Sequence, residues 1–380
     1  MTSDTLTRRE IGRIVGAEAG PTVVLIAGIH GNEPAGVAAA ERVLSELETR
    51  GVTVRGEIVA AAGNLPALAA GRRYFSRDLN RLWTRDVVHR VLDGDVDDSV
   101  PEEQQLAELL GVIHGAVERA RGPVLVLDLH TASASTSPFA ILGDTLRNRR
   151  FAAKFPAPIV LGLEEQLVGT LMEYVTAIGH VSIAFEAGQH DDPRSVDRHE
   201  AAVWLALAFA GSVAQADVTR WSEHFELLRG SRRGLPRFLE IIHRHPVAPE
   251  DKFVMQPGYR NFHPVERGEH LATDRDGPIL SPGSLLLFLP LYQGLGSDGF
   301  FLARRVNPVW LELSSWLRRS PLPSIVPMLP GVRRHPDVAS TLLVDRGVAR
   351  FLAPQIFHLL GFRVRAADGA TLEVRRRRER

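Results

Sequence analysis

The chain has 380 residues, a formal net charge of zero, 44% hydrophobic residues and no cysteine. A balanced charge gives no long-range field that would attract nucleic acid or an anionic membrane, so we expect neither as a partner. The lack of cysteine excludes disulfides and thiolate ligands, so any metal must be held by histidine and carboxylate side chains. It also fits a cytoplasmic protein, as does an N-terminus without the apolar core of a signal peptide.

The first 215 residues alternate short apolar runs with segments of helical periodicity. Buried strands are predicted over 21–29, 54–62, 124–129 and 181–186, and helices over 35–50, 101–120 and 197–213. This alternation predicts an α/β fold in which helices cover both faces of a mixed, largely parallel sheet. The longest apolar stretch, 203–214, is too short to span a bilayer and is expected to be a buried helix.

The composition changes after about residue 215. Proline and glycine become frequent between residues 246 and 290, and short apolar runs such as 284–289 lie between them, which is typical of a small β-rich domain. Further helices are predicted over 310–323 and 337–361, and the arginine run at 375–378 is expected to be solvated. We therefore expect an α/β domain over 1–215, a small β-rich domain over 216–310, and a helical extension with a basic tail over 311–380.

Three candidate metal ligands lie where predicted strands end. His30 and Glu33 follow the first strand across a glycine-containing turn, and His130 ends the strand that begins at residue 124. Ligands collect at the carboxyl ends of strands in such sheets, and two histidines with one glutamate are a known catalytic zinc set. Each element alone is a common chance pattern, but together they predict one zinc ion per chain. Asp128 is better placed to orient His130 than to bind the metal.

A fourth strand end and a basic loop supply further candidate groups. Glu186 ends the strand 181–186, where it can take a proton from water and later deliver it, although a salt-bridged strand end is the alternative. The loop 73–81 is dense in arginine, which binds carboxylates and stabilises oxyanions, although a solvated charged loop is the alternative. Two other histidines near Glu186, His190 and His199, are expected at the surface or at the start of a helix.

Five segments, in this order, resemble the succinylglutamate desuccinylase/aspartoacylase family, a branch of the zinc carboxypeptidase-like hydrolases. They are GIHGNEPAG (28–36), GNLPAL (63–68), RYFSRDLNRLW (73–83), DLHT (128–131) and EAGQ (186–189). The resemblance covers about residues 21–215 and continues more weakly through 245–305. It implies a three-layer zinc-carboxypeptidase-like domain followed by a small β domain.

The resemblance also implies roles for individual residues. The zinc ligands would be His30, Glu33 and His130. Glu186 would be the general acid and base, and Arg73 would polarise the scissile carbonyl. The implied substrate-binding residues are Asn80 and Arg81, which would grip a carboxylate, Asn64 on the pocket wall, and Thr131. Asp78 would brace the loop that carries several of these groups.

The sequence departs from aspartoacylases at one place. Those proteins carry another substrate-binding arginine about ten residues before the catalytic glutamate, and residues 174–178 contain none. We therefore expect a hydrolase that cleaves the amide bond of a small N-acylated substrate with a carboxylate, with N-acetylaspartate a poor substrate. A metallocarboxypeptidase for short peptides and a non-catalytic binding protein are the alternatives, and the sequence leaves a homo-oligomer open.

Overall fold

The computed structural model describes residues 8–336, 341–345, 347–348, 354–368, 371–377 and 379. The strands are β1 Glu10–Val15, β2 Glu18–Ala27, β3 Arg55–Ala62, β4 Val124–Ala132, β5 Phe139–Leu142, β6 Ile159–Leu161, β7 Val181–Gln189, β8 Phe238–Pro246, β9 Val254–Met255, β10 His263–Val265, β11 His270–Asp274, β12 Gly277–Leu280, β13 Leu285–Phe288, β14 Asp298–Arg305, β15 Val332–Arg334, β16 Thr341–Asp345, β17 Phe362–Asp368 and β18 Thr371–Arg376.

The α-helices are α1 Ala35–Thr49, α2 Leu65–Ala70, α3 Arg85–Leu92, α4 Pro101–Arg119, α5 Leu146–Ala152, α6 Leu163–Gln166, α7 Leu171–Ala177, α8 Arg194–Ala210, α9 Trp221–Ser231, α10 Pro308–Arg319, α11 Leu322–Ile325 and α12 Pro354–Leu359. Within the described part of the chain, none of these helices has the length and apolarity that a membrane crossing requires.

An eleven-stranded mixed sheet forms the centre of the protein, in the order β1-β3-β2-β4-β7-β5-β6-β8-β14-β13-β10. Strands β3, β2, β4 and β7 are parallel neighbours, so their carboxyl ends lie along one edge. The predicted α/β fold with a largely parallel sheet is confirmed. The edge where these parallel strands end is the place where such folds bind ligands.

Side chains that alternate along β2 fill two separate cores. Val23 and Leu25 pack with residues of α1 and α8, whereas Val24 and Ile26 pack with residues of α4. This division follows from the strand geometry, because successive side chains point to opposite faces. Since both faces of the sheet are covered by helices, the strand sequences are apolar at nearly every position.

The second half of the chain contributes strands to the central sheet and also forms a separate small sheet. Strands β8, β14, β13 and β10 continue the central sheet, while β9, β11 and β12 form a separate three-stranded sheet. The side chains Leu287, Phe300 and Leu302 of β13 and β14 pack with residues of the smaller sheet. This region is thus rich in strands, as its proline- and glycine-rich composition indicated. The domain boundary near residue 215 stays a prediction.

The C-terminal region differs from its expected helical structure. The predicted helix over 310–323 corresponds to α10, but β15, β16, β18 and β17 form a four-stranded sheet with its own apolar core. The predicted helix over 337–361 is wrong at 341–345, which form β16. Among the described residues of that range, only those of α12 are helical. Residues 337–340, 346 and 349–353 lie outside the described residues. A short apolar run such as Leu342-Leu343-Val344 does not distinguish a strand from a helix by its periodicity.

The arginine run at 375–378 is only in part the solvated terminus that we expected, because Arg377 is largely buried. Arg375 and Arg376 end β18, and the side chain of Arg377 is only 6% exposed. Arg377 forms ion pairs with Glu164 and Glu165 of α6. A buried guanidinium needs such partners, so Arg377 attaches the C-terminal sheet to the rest of the protein, whereas Arg375 and Arg376 are exposed as expected. Arg378 lies outside the described residues.

Candidate active site

A tight turn after β2 brings two polar side chains to the end of the sheet. Gly28 has a φ of 71°, a left-handed conformation that glycine adopts without steric cost. A Cβ atom on Gly31 would lie 2.0 Å from the backbone carbon of Ala67, so a larger residue would not fit. The turn between these glycines therefore fixes the positions of His30 and Glu33, both of which are buried.

His30, Glu33 and His130 converge on one point. Nδ1 of His30 lies 2.9 Å from Oε1 of Glu33, and Nδ1 of His130 lies 3.1 Å from Oε2 of the same carboxylate. The three potential ligand atoms lie within 4.8 Å of one another, and within the described ranges no other three such side chains form a comparable group. The sequence prediction that these three residues meet is confirmed by this geometry.

The outward nitrogens of both imidazoles are held by carboxylates. Nε2 of His30 lies 3.1 Å from Oδ1 of Asp78, and Nε2 of His130 lies 2.9 Å from Oδ2 of Asp128. Metal-binding histidines usually donate their second N–H to such a group, which orients the ring and raises its basicity. Two buried imidazoles and a buried carboxylate, with both rings oriented in this way, fit a divalent transition metal such as zinc.

The charges within this group favour the ionised carboxylate. Burial alone would raise the pKa of Glu33, but His30 and His130 outweigh burial and hold that pKa well below its usual value. The backbone N–H of Thr131 also donates to Oε2 of Glu33, at 2.9 Å. A carboxylate that stays ionised in a buried position is ready to bind a cation.

Glu186 lies beside this group, where β7 pairs with β4 in the register His130 to Glu186. Burial raises the pKa of its carboxyl to about 8, with the positive charge of His130 opposing that rise and the negative charge of Glu33 adding to it. Its Oε2 atom is buried and has no hydrogen-bond partner among the described residues. Such a carboxyl can exchange a proton near neutral pH.

The loop 73–81 is fixed by a carboxylate from α4. The backbone N–H groups of Phe75, Ser76 and Arg77 donate to the buried carboxylate of Glu102 at 2.7, 3.2 and 3.2 Å. This loop carries Arg73, whose Nη2 lies 3.2 Å from Oδ2 of Asp78. The role of Glu102 was not predicted from the sequence, because it acts through backbone groups that carry no residue-specific signal.

Most of the expected substrate-binding side chains line one pocket above the metal group. It has a volume of about 130 Å³, and the candidate residues in its lining are His30, Glu33, Arg73, Asn80, Arg81, His130, Thr131 and Glu186. The Nε atoms of Arg73 and Arg81 are buried and have no hydrogen-bond partner among the described residues. Unsatisfied buried donors are costly, so both guanidinium groups keep hydrogen-bonding capacity within the pocket lining.

Asn64 is the expected site residue that the structure does not bring to the pocket lining. It is fully buried and is the N-cap of α2, where its side chain accepts a hydrogen bond from the N–H of Ala67. Its amide also donates to Glu102 at 3.4 Å. Asn64 therefore acts as a helix cap, and it contacts the loop 73–81 indirectly, through Glu102.

Three pocket residues were missed or misplaced by the sequence analysis. His190, expected at the surface, lines the pocket and is hydrogen-bonded to Thr131 at 2.8 Å and to Gln293 at 3.4 Å. Gln293 and Asp298 come from the second half of the chain, and no motif pointed to them. His199, also expected at the surface or at a helix start, is fully buried within α8.

The protein has an α/β fold whose parallel strands end at a buried His-Glu-His group that could hold a metal ion. Comparisons with known proteins specify the family. The model of the succinylglutamate desuccinylase/aspartoacylase catalytic domain matches residues 19–210. Succinylglutamate desuccinylase of Burkholderia thailandensis is 30% identical over 268 residues, which cover 67% of this chain and 71% of that protein. The chain belongs to the succinylglutamate desuccinylase/aspartoacylase family.

Other relatives match over a smaller part of their length. Succinylglutamate desuccinylase of Photorhabdus laumondii is 31% identical over 144 residues, so the chain spans only 42% of that protein. The structure of succinylglutamatedesuccinylase/aspartoacylase from Rhodobacter sphaeroides superposes with a TM-score of 0.56 at 20% identity, covering 78% of this chain and 88% of that one. This likeness supports the shared fold.

Proposed function

We propose that the protein is a zinc-dependent deacylase that hydrolyses the amide bond of a small N-acyl amino acid or a related compound. The observation that carries the proposal is the buried group of His30, Glu33 and His130 at the floor of a pocket. Membership of a family whose matching model describes desuccinylase and aspartoacylase catalytic domains supports the same reaction class.

The chain's own residues account for binding and for proton movement. Zinc, when bound by the three ligands, supplies a Lewis acid that polarises a carbonyl oxygen and acidifies water. Glu186, as a carboxylate beside the metal group, accepts the proton of the attacking water and delivers it to the leaving amine. Arg73 provides a fixed positive charge for the developing oxyanion.

The pocket supports a small substrate over an extended peptide. A volume of about 130 Å³ is below the usual range for a ligand pocket, about 300–1,000 Å³, and leaves little room for a chain. Arg81 and the neighbouring Asn80 line one side of the pocket, where their N–H groups are donors for a polar group of the substrate. Residues 174–178 contain no arginine for a second carboxylate, so the proposal includes poor use of N-acetylaspartate.

The test combines metal analysis with a substrate screen. The purified protein is expected to hold about one zinc ion per chain and to release acid or amine from members of a panel of N-acyl amino acids and dipeptides. The double variant His30→Ala/His130→Ala is expected to lose both metal and activity. Stoichiometric zinc in that variant would overturn the metal assignment, and hydrolysis confined to dipeptides would favour a carboxypeptidase.

A further inference from the structure

The guanidinium of Arg81 already has a carboxylate partner inside the pocket. Nη2 of Arg81 lies 2.6 Å from Oδ2 of Asp298, the first residue of β14, and both side chains line the pocket. The two side chains are mostly buried, with 23% and 15% of their surface exposed. In a partly buried ion pair, solvent and salt screen the electrostatic attraction less than they do in a surface pair.

Both terminal nitrogens of the Arg81 guanidinium already make a contact within the protein. Nη1 donates to the backbone oxygen of Asn80 at 2.8 Å, and Nη2 faces Asp298. Only Nε is buried and without a partner among the described residues. A carboxylate bound at this guanidinium would therefore lie next to the carboxylate of Asp298, and two like charges at such a distance repel each other.

Asp298 is also held from its other side. Its Oδ1 atom lies 2.5 Å from Nε of Arg244 on β8. Backbone pairing of β14 with β8 along the whole of β14 fixes this strand without help from Arg81. Arg81 and Asp298 can therefore separate while Asp298 keeps a cationic partner and the strand keeps its place.

We propose that Asp298 is a specificity-determining residue that competes with the substrate for Arg81. This inference rests on the proposed deacylase function and narrows its substrate class. The internal carboxylate weakens the binding of N-acyl compounds that carry a carboxylate, and it favours those that present a neutral group, such as a carboxamide, at the same position. A like charge built into a site is a common means of rejecting one class of ligand.

The experiment compares two substrates that differ only in this charge. N-acetylmethionine and N-acetylmethioninamide are hydrolysed by the wild-type protein, by Asp298→Asn and by Asp276→Asn, and acetate release is measured. Asp276 is a matched control because it makes the same acid-to-amide change at a side chain that is 83% exposed. The ratio of kcat/KM for the acid to that for the amide is expected to rise about tenfold or more in Asp298→Asn only.

The change is expected in KM rather than in kcat, because binding at a group remote from the reacting atoms stabilises substrate and transition state alike. A ratio within twofold of the wild-type value would overturn the proposal. A ratio that falls would also overturn it, because Asp298 would then hold Arg81 in place for the substrate carboxylate.

A binding measurement separates this proposal from the proposed function. Methionine and methioninamide lack the scissile bond, so calorimetric titration of the same three zinc-loaded proteins reports affinity without hydrolysis. Asp298→Asn is expected to gain affinity for methionine relative to methioninamide by a similar factor. If no N-acyl compound is hydrolysed but this gain is seen, the reaction assignment fails and the role of Asp298 stands. If Asp298→Asn shows no gain, the role of Asp298 is refuted.

Discussion

Glu186 shows how a single position acquires its chemistry from its surroundings. A glutamate at a strand end is ordinarily ionised at neutral pH, yet burial raises the pKa of this carboxyl to about 8. Glu186 lines the pocket that also contains the metal group, and its Oε2 atom is buried without a hydrogen-bond partner among the described residues. Carboxyl groups with a shifted pKa in pockets are typical of catalytic acids and bases, so both the environment and the position of Glu186 favour a role in proton transfer.

Replacing Glu186 with glutamine is expected to lower kcat by about 10²- to 10⁴-fold, because the amide cannot transfer the proton. Zinc content is expected to remain near one ion per chain, because Glu186 is not among the three ligands. Both are checked by steady-state kinetics and by metal analysis of the same sample. Glu226→Gln, at an exposed side chain, is the control, and an unchanged kcat in Glu186→Gln would remove the residue from the mechanism.

The residues that could be predicted from sequence share one property. His30, Glu33, His130 and Glu186 follow or end strongly apolar strands, so their common location follows from sheet topology alone. Asp298 could not be predicted, because it reaches the pocket through the pairing of β14 with β8. Contacts between such distant parts of the chain depend on the registers of several strands, which no local pattern specifies.

At the scale of elements, the loop 73–81 depends on a helix that does not touch the pocket. Glu102 lies in the first turn of α4 and accepts three backbone hydrogen bonds from this loop. The two arginines of the loop that line the pocket, Arg73 and Arg81, are therefore positioned by a buried carboxylate on its far side. Positioning through backbone groups keeps the loop rigid without using the side chains needed for the substrate.

Glu102→Gln tests this positioning role. Glutamine presents an N–H₂ group where an oxygen now accepts hydrogen bonds, which is expected to destabilise the protein by about 2 kcal/mol. Displacement of the loop is expected to lower kcat/KM about tenfold or more, because small shifts of catalytic groups are costly. Urea unfolding and kinetics on the same preparation measure the two effects.

The neighbouring Glu103 provides a matched control. It is equally buried on α4, but it accepts hydrogen bonds from Arg90 and from the backbone of Asp97, away from the loop. Glu103→Gln is expected to destabilise the protein similarly while kcat/KM stays near the wild-type value. An equal loss of activity in both variants would show that the effect of Glu102 is one of general stability.

In the first 215 residues, elements with long and regular apolar patterns were predictable, whereas very short strands were not. The predicted strand over 54–62 and helix over 101–120 agree with β3 and α4 to within a residue at each end, because their apolar patterns are long and regular. Strands of three or four residues, such as β5 and β6, carry too few positions for a pattern. They matter nonetheless, because β5 and β6 connect β7 to β8 and so join the two halves of the sheet.

At the scale of the whole molecule, buried charges attach the C-terminal region to the α/β fold. Asp144, which follows β5, bonds to Arg318 of α10 through Oδ2 at 2.6 Å and through its backbone oxygen at 2.7 Å. The side chain of Arg318 is fully buried. Arg149 also binds the carboxylate of Asp144, and Arg377 lies 3.9 Å from it. The carboxylate of Asp144 thus lies close to the guanidinium groups of arginines from three parts of the chain.

This network explains why the prediction of a solvated basic tail was wrong at Arg377. Arginines at 375–378 have the composition of a solvated tail, and nothing near them in sequence supplies a counter-charge. Arg375 and Arg376 are exposed, but the partners of Arg377, Glu164 and Glu165, lie more than 200 residues earlier. A basic run is exposed only when no acidic side chain from a distant part of the chain packs against it. Whether this happens depends on the tertiary structure, which composition does not specify.

Asp144→Asn is expected to destabilise the protein by about 3–5 kcal/mol at pH 7, because it removes a carboxylate that the buried guanidinium groups of Arg149 and Arg318 share. The midpoint of urea unfolding, followed by far-UV circular dichroism, measures the effect. Asp276→Asn, which changes an exposed acid, is expected to leave the midpoint unchanged. Equal midpoints for Asp144→Asn and the wild-type protein would show that the network contributes nothing to stability.

The same network predicts how stability depends on pH. Burial alone would raise the pKa of Asp144, but Arg149, Arg318 and Arg377 outweigh burial and hold that pKa well below its usual value. The ionised carboxylate therefore stabilises the fold fully above the unfolded-state pKa of about 3.9, and this contribution is lost as the pH falls through the folded-state value. The stability difference between the wild-type protein and Asp144→Asn is expected to be constant from pH 8 to pH 5 and to shrink at pH 3. A difference that grows towards acid pH would contradict the assignment of Asp144 as the ionised centre of the network.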